Sequence, residues 1–250
     1  MSLESLIIVF VAIAVGSFFK GATGIGLPII AIPTLATFLG VEHAVVVITI
    51  PTFASNILIV WRYRRMASGI PNLPLTLVLG TAGAISGAFV LASLTDTALL
   101  WLLVVWVGAY LINMTLNPDF RLEGRAATIM SPILAAFAGL SQGATGMSGP
   151  VIATWIHSYR LEAQAYVFGV SIMFLVISGA QTLAVSGIGL MDQERLLQGL
   201  IAVIPTLAFV QLGIWTTPYI SRKWFNRIVL AMIVVMELKL IWQVIGDYFS

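Results

Sequence analysis

Long stretches of the sequence contain no charged side chain and are rich in apolar residues. They include Ser5–Phe19, Ala44–Trp61, Met66–Thr95, Thr97–Pro118, Ala126–Tyr159 and Ala163–Met191. A helix needs roughly 18 to 20 such residues to cross the hydrocarbon core of a bilayer. The chain is therefore predicted to cross a membrane several times, and the longest stretches must contain more than one segment.

The scarcity of charge also excludes several classes of protein. Only 9% of the 250 residues are charged, against roughly 25% in a typical soluble domain. The basic residues are scattered, so no nucleic-acid surface is expected. Because cysteine is absent, disulfides and thiolate metal sites are excluded. No nucleophile–base, metal or cofactor motif is present, and the sequence therefore predicts neither an enzyme nor a cofactor.

Ten apolar segments can be assigned, five in each half of the chain. They are Leu3–Phe19, Ile25–Leu39, Glu42–Trp61, Leu73–Leu94, Thr97–Leu116, Ala127–Leu140, Met147–Ser158, Glu162–Ser186, Glu194–Thr217 and Trp224–Gly246. The second segment of each half is too short to cross a bilayer fully, because at 1.5 Å per residue it covers only about 18 to 23 Å. We therefore predict an all-α membrane protein with broken or re-entrant short helices.

A sequence motif recurs in the two halves. The residues from Lys20 to Ala31 align without gaps to those from Gln142 to Ala153, at a constant offset of 122, and seven of the twelve positions are identical. The shared core is Gly-Ala-Thr-Gly followed by proline. We predict a first membrane repeat over residues 1–118, a linker over 119–126 and a second repeat over 127–250.

The basic residues predict opposite orientations for the two repeats. Cytoplasmic loops of membrane proteins carry an excess of lysine and arginine. If Arg62, Arg64 and Arg65 are cytoplasmic, nine of the twelve basic residues fall on that side. Both termini are then external, and the five-segment repeats are inverted.

The two glycine motifs predict interruptions of the helices inside the membrane. Thr23 and Thr145 suit helix N-caps, with Pro28 and Pro150 in the first turn of the helix that follows. Glycine permits non-helical backbone, and exposed N–H groups at a helix start bind anions. We expect backbone N–H groups near these motifs to bind a ligand. The alternative is that the breaks only allow close helix packing. The motif positions that we predict to bind are Gly21, Thr23, Gly24, Gly143, Thr145 and Gly146.

Lys20 immediately precedes the first motif, and Gln142 holds the matching position of the second. A charged residue at membrane depth is costly, which makes it a candidate functional residue. A cation from one motif and a neutral donor from the other suit a small oxyanion. Alternatively, Lys20 extends to the membrane surface.

Further polar side chains could contribute to the same site. Ser148 lies in the second motif, and Asn56 and Gln181 lie within the third segments of their halves; ordinary hydrogen bonds between helices are an alternative role for them. Glu237 in the last segment is a candidate coupling carboxylate; alternatively, its side chain extends to the membrane surface or pairs with a nearby base.

At the two Gly-Ala-Thr-Gly motifs with their prolines, the chain resembles the TauE/SafE family of sulfite exporter-like permeases. The resemblance extends over nearly the whole chain. It implies transport of sulfite, an organosulfonate such as sulfoacetate, or a related small oxyanion, across the bacterial inner membrane.

Together these patterns predict a secondary transporter of a small anion that works by alternating access. An anion channel and a transporter of a small carboxylate are the alternatives. A proton is the expected coupling ion if the anion is accumulated, and a homodimer is a compatible assembly. The sequence leaves the direction of transport open.

Overall fold

The computed structural model describes residues 3–24, 26–116, 124–157, 159 and 161–216, and, within 230–245, all but 232, 236 and 243. Nearly all of these residues are helical, and none lies in a strand. The helices are α1 (Leu3–Thr23), α2 (Leu27–Leu39), α3 (Val41–Tyr63), a 3-10 turn (Arg64–Gly69), α4 (Leu73–Ser93), α5 (Asp96–Leu116), α6 (Gly124–Thr145), α7 (Gly149–His157), α8 (Ala163–Gly187) and α9 (Gln193–Thr216).

The outer surface of the bundle is apolar, as expected for contact with lipid. Trp61, Leu183 and Ile204 are each more than two thirds exposed. Four helical stretches are long and apolar enough to cross a membrane: Val41–Ala67, Leu73–Ser93, Gln164–Gly187 and Gln193–Thr216. The prediction of an all-α polytopic membrane protein is confirmed.

The short helices are found where the sequence places them, but some boundaries differ. α2 and α7 contain 13 and 9 residues. α1 and α6, however, continue through the glycine motifs as far as Thr23 and Thr145. α6 also begins at Gly124, inside the stretch predicted as a linker.

The helices form two bundles that exchange their fourth members. In the first bundle α1, α2 and α3 pack with α9, which comes from the second half of the sequence. In the second bundle α6, α7 and α8 pack with α4, which comes from the first half. The bundles meet chiefly along α3 and α8. Four packing pairs of the first bundle thus have counterparts in the second: α1–α2 and α6–α7, α2–α3 and α7–α8, α1–α9 and α6–α4, and α3–α9 and α8–α4.

Paired glycines bring the exchanged helices into close contact. Where α1 crosses α9, a Cβ atom at Gly21 would strike the carbonyl oxygen of Val210 and lie 3.1 Å from the Cα of Gly213. Where α4 crosses α6, a Cβ atom at Gly87 would lie 2.8 Å from the Cα of Gly143. Two of the motif glycines, Gly21 and Gly143, are therefore required by helix packing alone.

The central helices α3 and α8 run antiparallel. At the start of α3, Glu42 forms an ion pair of 2.8 Å with Arg195, which lies just after the end of α8. Beyond the opposite end of α3, Ile70 packs against Gly169 near the start of α8. In the middle, the ring of Phe53 contacts Gly179.

Replacing Gly87 by valine should greatly reduce the thermal stability of the detergent-solubilised protein. The added side chain meets backbone atoms of α6, and overpacking costs about 1–3 kcal/mol even where flexible side chains can adjust. Gly187→Val is the matched control, because no atom lies within 4 Å of a Cβ placed there. Equal melting temperatures for the two variants would contradict the close crossing of α4 and α6.

The fold also allows the predicted orientation to be measured. Arg65 follows the end of α3, whereas Gln193 begins α9 beside the start of α3; both side chains are exposed and lie at opposite ends of the bundle. Because the chain lacks cysteine, Arg65→Cys and Gln193→Cys can be labelled individually in cells. An impermeant maleimide should label Gln193→Cys in intact cells and Arg65→Cys only after permeabilisation. The reverse pattern would invert the topology.

Candidate functional site

The two glycine motifs form the same structure. α1 ends at Thr23 and is followed by Gly24 with φ +83°, while α6 ends at Thr145 and is followed by Gly146 with φ +71°. The N–H of Gly24 donates to the carbonyl of Lys20 at 2.7 Å, and the N–H of Gly146 donates to the carbonyl of Gln142 at 2.8 Å. Both motifs are helix C-terminal caps in which the positive φ favours glycine.

The prediction that Thr23 and Thr145 are N-caps is therefore wrong. Both threonines end the preceding helix, because the turn occurs at the glycine that follows. The hydroxyl of Thr145 donates to the carbonyl of Ser141 at 2.8 Å and accepts from the N–H of Met147 at 3.3 Å. The side chain of Thr23 lies outside the described residues. Pro28 does lie in the first turn of α2, as predicted.

The expected backbone donors must be reassigned for the same reason. The N–H groups of Gly24 and Gly146 already donate within their own helix caps. Unused backbone donors at a break belong to the first turn of the helix that follows, which here means α2 from Leu27 and α7 from Gly149.

Lys20 is the most unusual side chain of the site. It is fully buried, and its Nζ has no hydrogen-bond partner in the described part of the chain. The Nζ lies 4.7 Å from the ring centroid of Phe174 on α8. Complete burial excludes the alternative in which Lys20 extends to the membrane surface. An ammonium group without counter-charge in a low-dielectric interior is strongly destabilised, so it either loses its proton or is stabilised by a bound anion.

Gln142, at the matching position of the second break, has satisfied hydrogen bonds. Its Nε2 donates to the Oε1 of Gln181 at 3.0 Å, and its Oε1 accepts from the hydroxyl of Ser148 at 2.8 Å. Gln181 also donates to the carbonyl of Gly143 at 3.3 Å. We refer to Gln142, Ser148 and Gln181 as the glutamine clasp. The clasp is complete without a ligand, and for Gln181 the structure shows the alternative role of a hydrogen bond between helices.

The two breaks lie along one face of α8. Lys20 contacts Phe174, and Gln142 contacts Gln181. These α8 residues are seven positions apart, which is two turns and about 10 Å along the axis. The breaks are therefore near each other inside the bundle.

Asn56 lies on α3 at the same depth. Because α3 and α8 are antiparallel and Phe53 is level with Gly179, Asn56 is within about 3 Å of Phe174 along the helix axis. Asn56 is fully buried, and its Nδ2 donates to the carbonyl of Thr52 at 2.7 Å. Its Oδ1 has no partner among the described residues.

Sequence reasoning did not identify Thr52, Ser171 or Phe174. The hydroxyls of Thr52 and Ser171 are buried and lack partners among the residues the structure describes. A signal was available, because Thr52 is one turn from Asn56, and the 122-residue offset relates Thr52 to Phe174.

Other candidate features lie apart from the breaks. An apolar cavity of about 560 Å³ lies beside the first half of α1, between α2, α3 and α9, and away from Lys20. Glu237 is 7% exposed, faces Gly108 of α5 and forms no ion pair within the described ranges.

His43 contacts Gln198 at 2.6 Å. No cluster of described residues could hold a metal ion.

A polytopic membrane protein with broken helices around a buried cation is the class that this fold and site define. The family model described as Sulfite exporter TauE/SafE matches residues 8–240, and the chain belongs to this family. No curated protein and no solved structure matches the chain significantly.

Replacing Gln181 by leucine should destabilise the ligand-free protein, because the Nε2 of Gln142 and the carbonyl of Gly143 lose the partner that Gln181 supplies. Loss of buried hydrogen bonds of this kind costs about 1–3 kcal/mol, measurable as a lower melting temperature in detergent. Thr182→Val is the adjacent control, since its hydroxyl bonds only to Ser178 of its own helix. Unchanged stability of Gln181→Leu would contradict the structural role of these hydrogen bonds.

Proposed function

We propose that this protein is a secondary transporter of a small anion, most simply sulfite or an organosulfonate such as sulfoacetate, working by alternating access. The observation that carries the proposal is the fully buried Lys20, whose Nζ has no partner among the described residues. Membership of a family described as sulfite exporters supports the same substrate class.

The electrostatics of Lys20 favour an anion over any other small ligand. At about 4 Å and an effective dielectric constant near 20, two opposite unit charges attract by about 4 kcal/mol. No described carboxylate competes with an anion for Lys20. The ion pairs of the described residues are those of Arg195 with Glu42 and Asp192. An ammonium group is a point charge with three donors and accepts oxygens in varied arrangements.

The remaining contacts come from the surroundings of Lys20. Asn56 lies at the same depth, and the first turn of α2 begins beside the last turn of α1, where a Cβ atom at Gly26 would crowd the backbone of Phe19 and Lys20. The positive end of α2 adds to the favourable potential. Gln142, Ser148, Thr145 and Gln181 contact the substrate in a conformation in which the glutamine clasp opens.

Enclosure of the site supports alternating access. Lys20, Asn56 and Ser171 are all fully buried, so an anion enters and leaves only when helices move. The units expected to move are the two bundles, each of which includes one helix exchanged from the other half, α9 or α4. The bundles contact each other chiefly along α3 and α8. We propose that the halves are inverted repeats and that rocking at this contact exposes the site to each side in turn.

Two further properties belong to this proposal. Export of an anion from a negative-inside cell needs no driving ion, whereas accumulation does, and a proton is the simplest one. The location is the bacterial inner membrane with external termini. An open anion channel fits less well, because Lys20 is fully buried and therefore lines no open aqueous path in the described structure.

Lys20→Met should abolish anion binding and transport while preserving the fold. Ligand at 100 times its dissociation constant stabilises a protein by about 2.7 kcal/mol, so sulfite or sulfoacetate should raise the melting temperature of the wild type but not of this variant. Lys239→Met is the matched control. Its ammonium also lies 4.7 Å from an aromatic ring, that of Phe38, but the side chain is exposed.

A panel of sulfite, sulfoacetate, sulfate and simple carboxylates tests the substrate class in the same assay. Stabilisation by carboxylates alone would overturn the sulfur-oxyanion assignment. Retained binding in Lys20→Met would remove Lys20 from the site.

A further inference from the structure

Lys20 receives no opposite charge from the helices that pack around it. α1 packs against α2, and the Nζ of Lys20 lies over the ring of Phe174 on α8. Neither α2 nor α8 contains an aspartate, glutamate, lysine, arginine or histidine. The titratable side chain of α8 is that of Tyr166, in its first turn. Nothing on these two helices therefore balances an ammonium charge at Lys20.

The charged residues of α9, which also packs against α1, are far from Lys20. Glu194 and Arg195 lie in the first turn of α9, whereas α1 crosses α9 near Val210, whose carbonyl oxygen a Cβ atom at Gly21 would meet. Residues 195 and 210 are about 22 Å apart along a helix axis. Arg195 is moreover paired with Glu42, and the charged side chains of α3 lie near the two ends of that helix.

The partial charges around Lys20 oppose one another. Lys20 lies in the last turn of α1, whose negative end favours a cation. The positive end of α2 begins beside it, because a Cβ atom at Gly26 would lie 2.4 Å from the backbone nitrogen of Lys20. The ring of Phe174 attracts an ammonium group, but this attraction is smaller than the cost of removing the charge from water. An empty site therefore favours the uncharged amine.

We propose that Lys20 binds a proton and the substrate anion together. In the empty site its Nζ is a neutral amine. When an anion enters, the lone pair of the amine takes one proton from the aqueous phase to which the site is open, and the new ammonium group holds the anion. When the anion leaves, the N–H bond breaks and the proton returns to water.

This inference rests on the proposed function, because it takes Lys20 to be the anion site. It adds that the coupling proton binds at Lys20 itself and not at Glu237, which lies apart from the breaks. The physical reason for coupling is enclosure. Empty amine and ammonium with a monoanion are both neutral, whereas a proton alone or an anion alone would leave a net charge in the closed, low-dielectric site, at high cost. The site therefore closes with both or with neither.

The first test measures the affinity of the purified full-length protein for sulfoacetate, sulfate and acetate by calorimetry at several pH values. These anions stay fully deprotonated between about pH 7 and pH 9, whereas sulfite itself titrates there. Because binding takes up one proton, raising the pH opposes it, and the affinity should fall by about tenfold per pH unit towards the alkaline end. Adding the anion to a weakly buffered solution of the protein should also raise the pH. An affinity that is constant over this range would overturn the inference.

Variants assign the proton to its residue. Lys20→Arg keeps a permanent charge, so its anion affinity should not change with pH; if this variant does not fold, the wild-type dependence decides. Lys239→Met is the matched control for loss of a lysine beside an aromatic ring and should keep the wild-type pH dependence. Glu237→Gln should keep it as well. Loss of the pH dependence in Glu237→Gln would place the proton at Glu237 and contradict the proposal.

Transport supplies an independent readout. In proteoliposomes, an inward gradient of the anion that binds should acidify the lumen, as reported by an entrapped pH-sensitive dye, because each anion carries a proton with it. Uptake without acidification would contradict the coupling.

The outcomes separate this inference from the function on which it rests. If Lys20→Met loses anion binding but the wild type binds without taking up a proton, the coupling is wrong and the anion site stands. If Lys20→Met binds the anions as tightly as the wild type, or if no anion binds the wild type, the proposed function fails and the coupling fails with it.

Discussion

An interruption of a helix inside a bilayer has to be enclosed by protein, because lipid offers no partner to an unpaired backbone group. The chain contains two such interruptions, at Gly24 and Gly146, and much of the fold serves to cover them. α9 closes over the first and α4 over the second, through glycine contacts that bring backbones together at Gly21–Gly213 and Gly87–Gly143. The exchange of fourth helices between the halves follows from this need, since each break is covered by a helix from the other half of the sequence.

The two breaks have the same backbone geometry but different chemistry. At the first, the amino group of Lys20 faces an aromatic ring with no counter-charge among the described residues. At the second, a glutamine is held by two neighbours and needs nothing further. A symmetric scaffold thus carries an asymmetric site. In the proposed function the first break binds the anion, whereas the hydrogen bonds of the second break fix the position of α8.

The position of the unpartnered atoms connects binding with movement. Thr52 and Asn56 lie on α3, Ser171 lies on α8, and the Nζ of Lys20 lies over Phe174 of α8; α3 and α8 are the helices along which the bundles meet. This is the contact that must change if the bundles move relative to each other, and a bound anion would add favourable interactions across it. Under the proposed alternating-access mechanism, occupancy of the site would therefore stabilise the same contact that controls access.

The sequence by itself determined the membrane class, the short second helices, the two breaks and the presence of a lysine at membrane depth beside the first break. Those features depend on local properties: runs of apolar residues, glycine where φ is positive, and a charge where hydrocarbon is expected. It did not determine where the breaks turn, since Thr23 and Thr145 end helices and do not begin them. It also did not reveal that Gln142, Ser148 and Gln181 satisfy one another, or that Phe174 lies beside Lys20. Tertiary structure decided these points, because whether a buried polar atom has a partner depends on helices that are distant in sequence and meet only when the bundles pack.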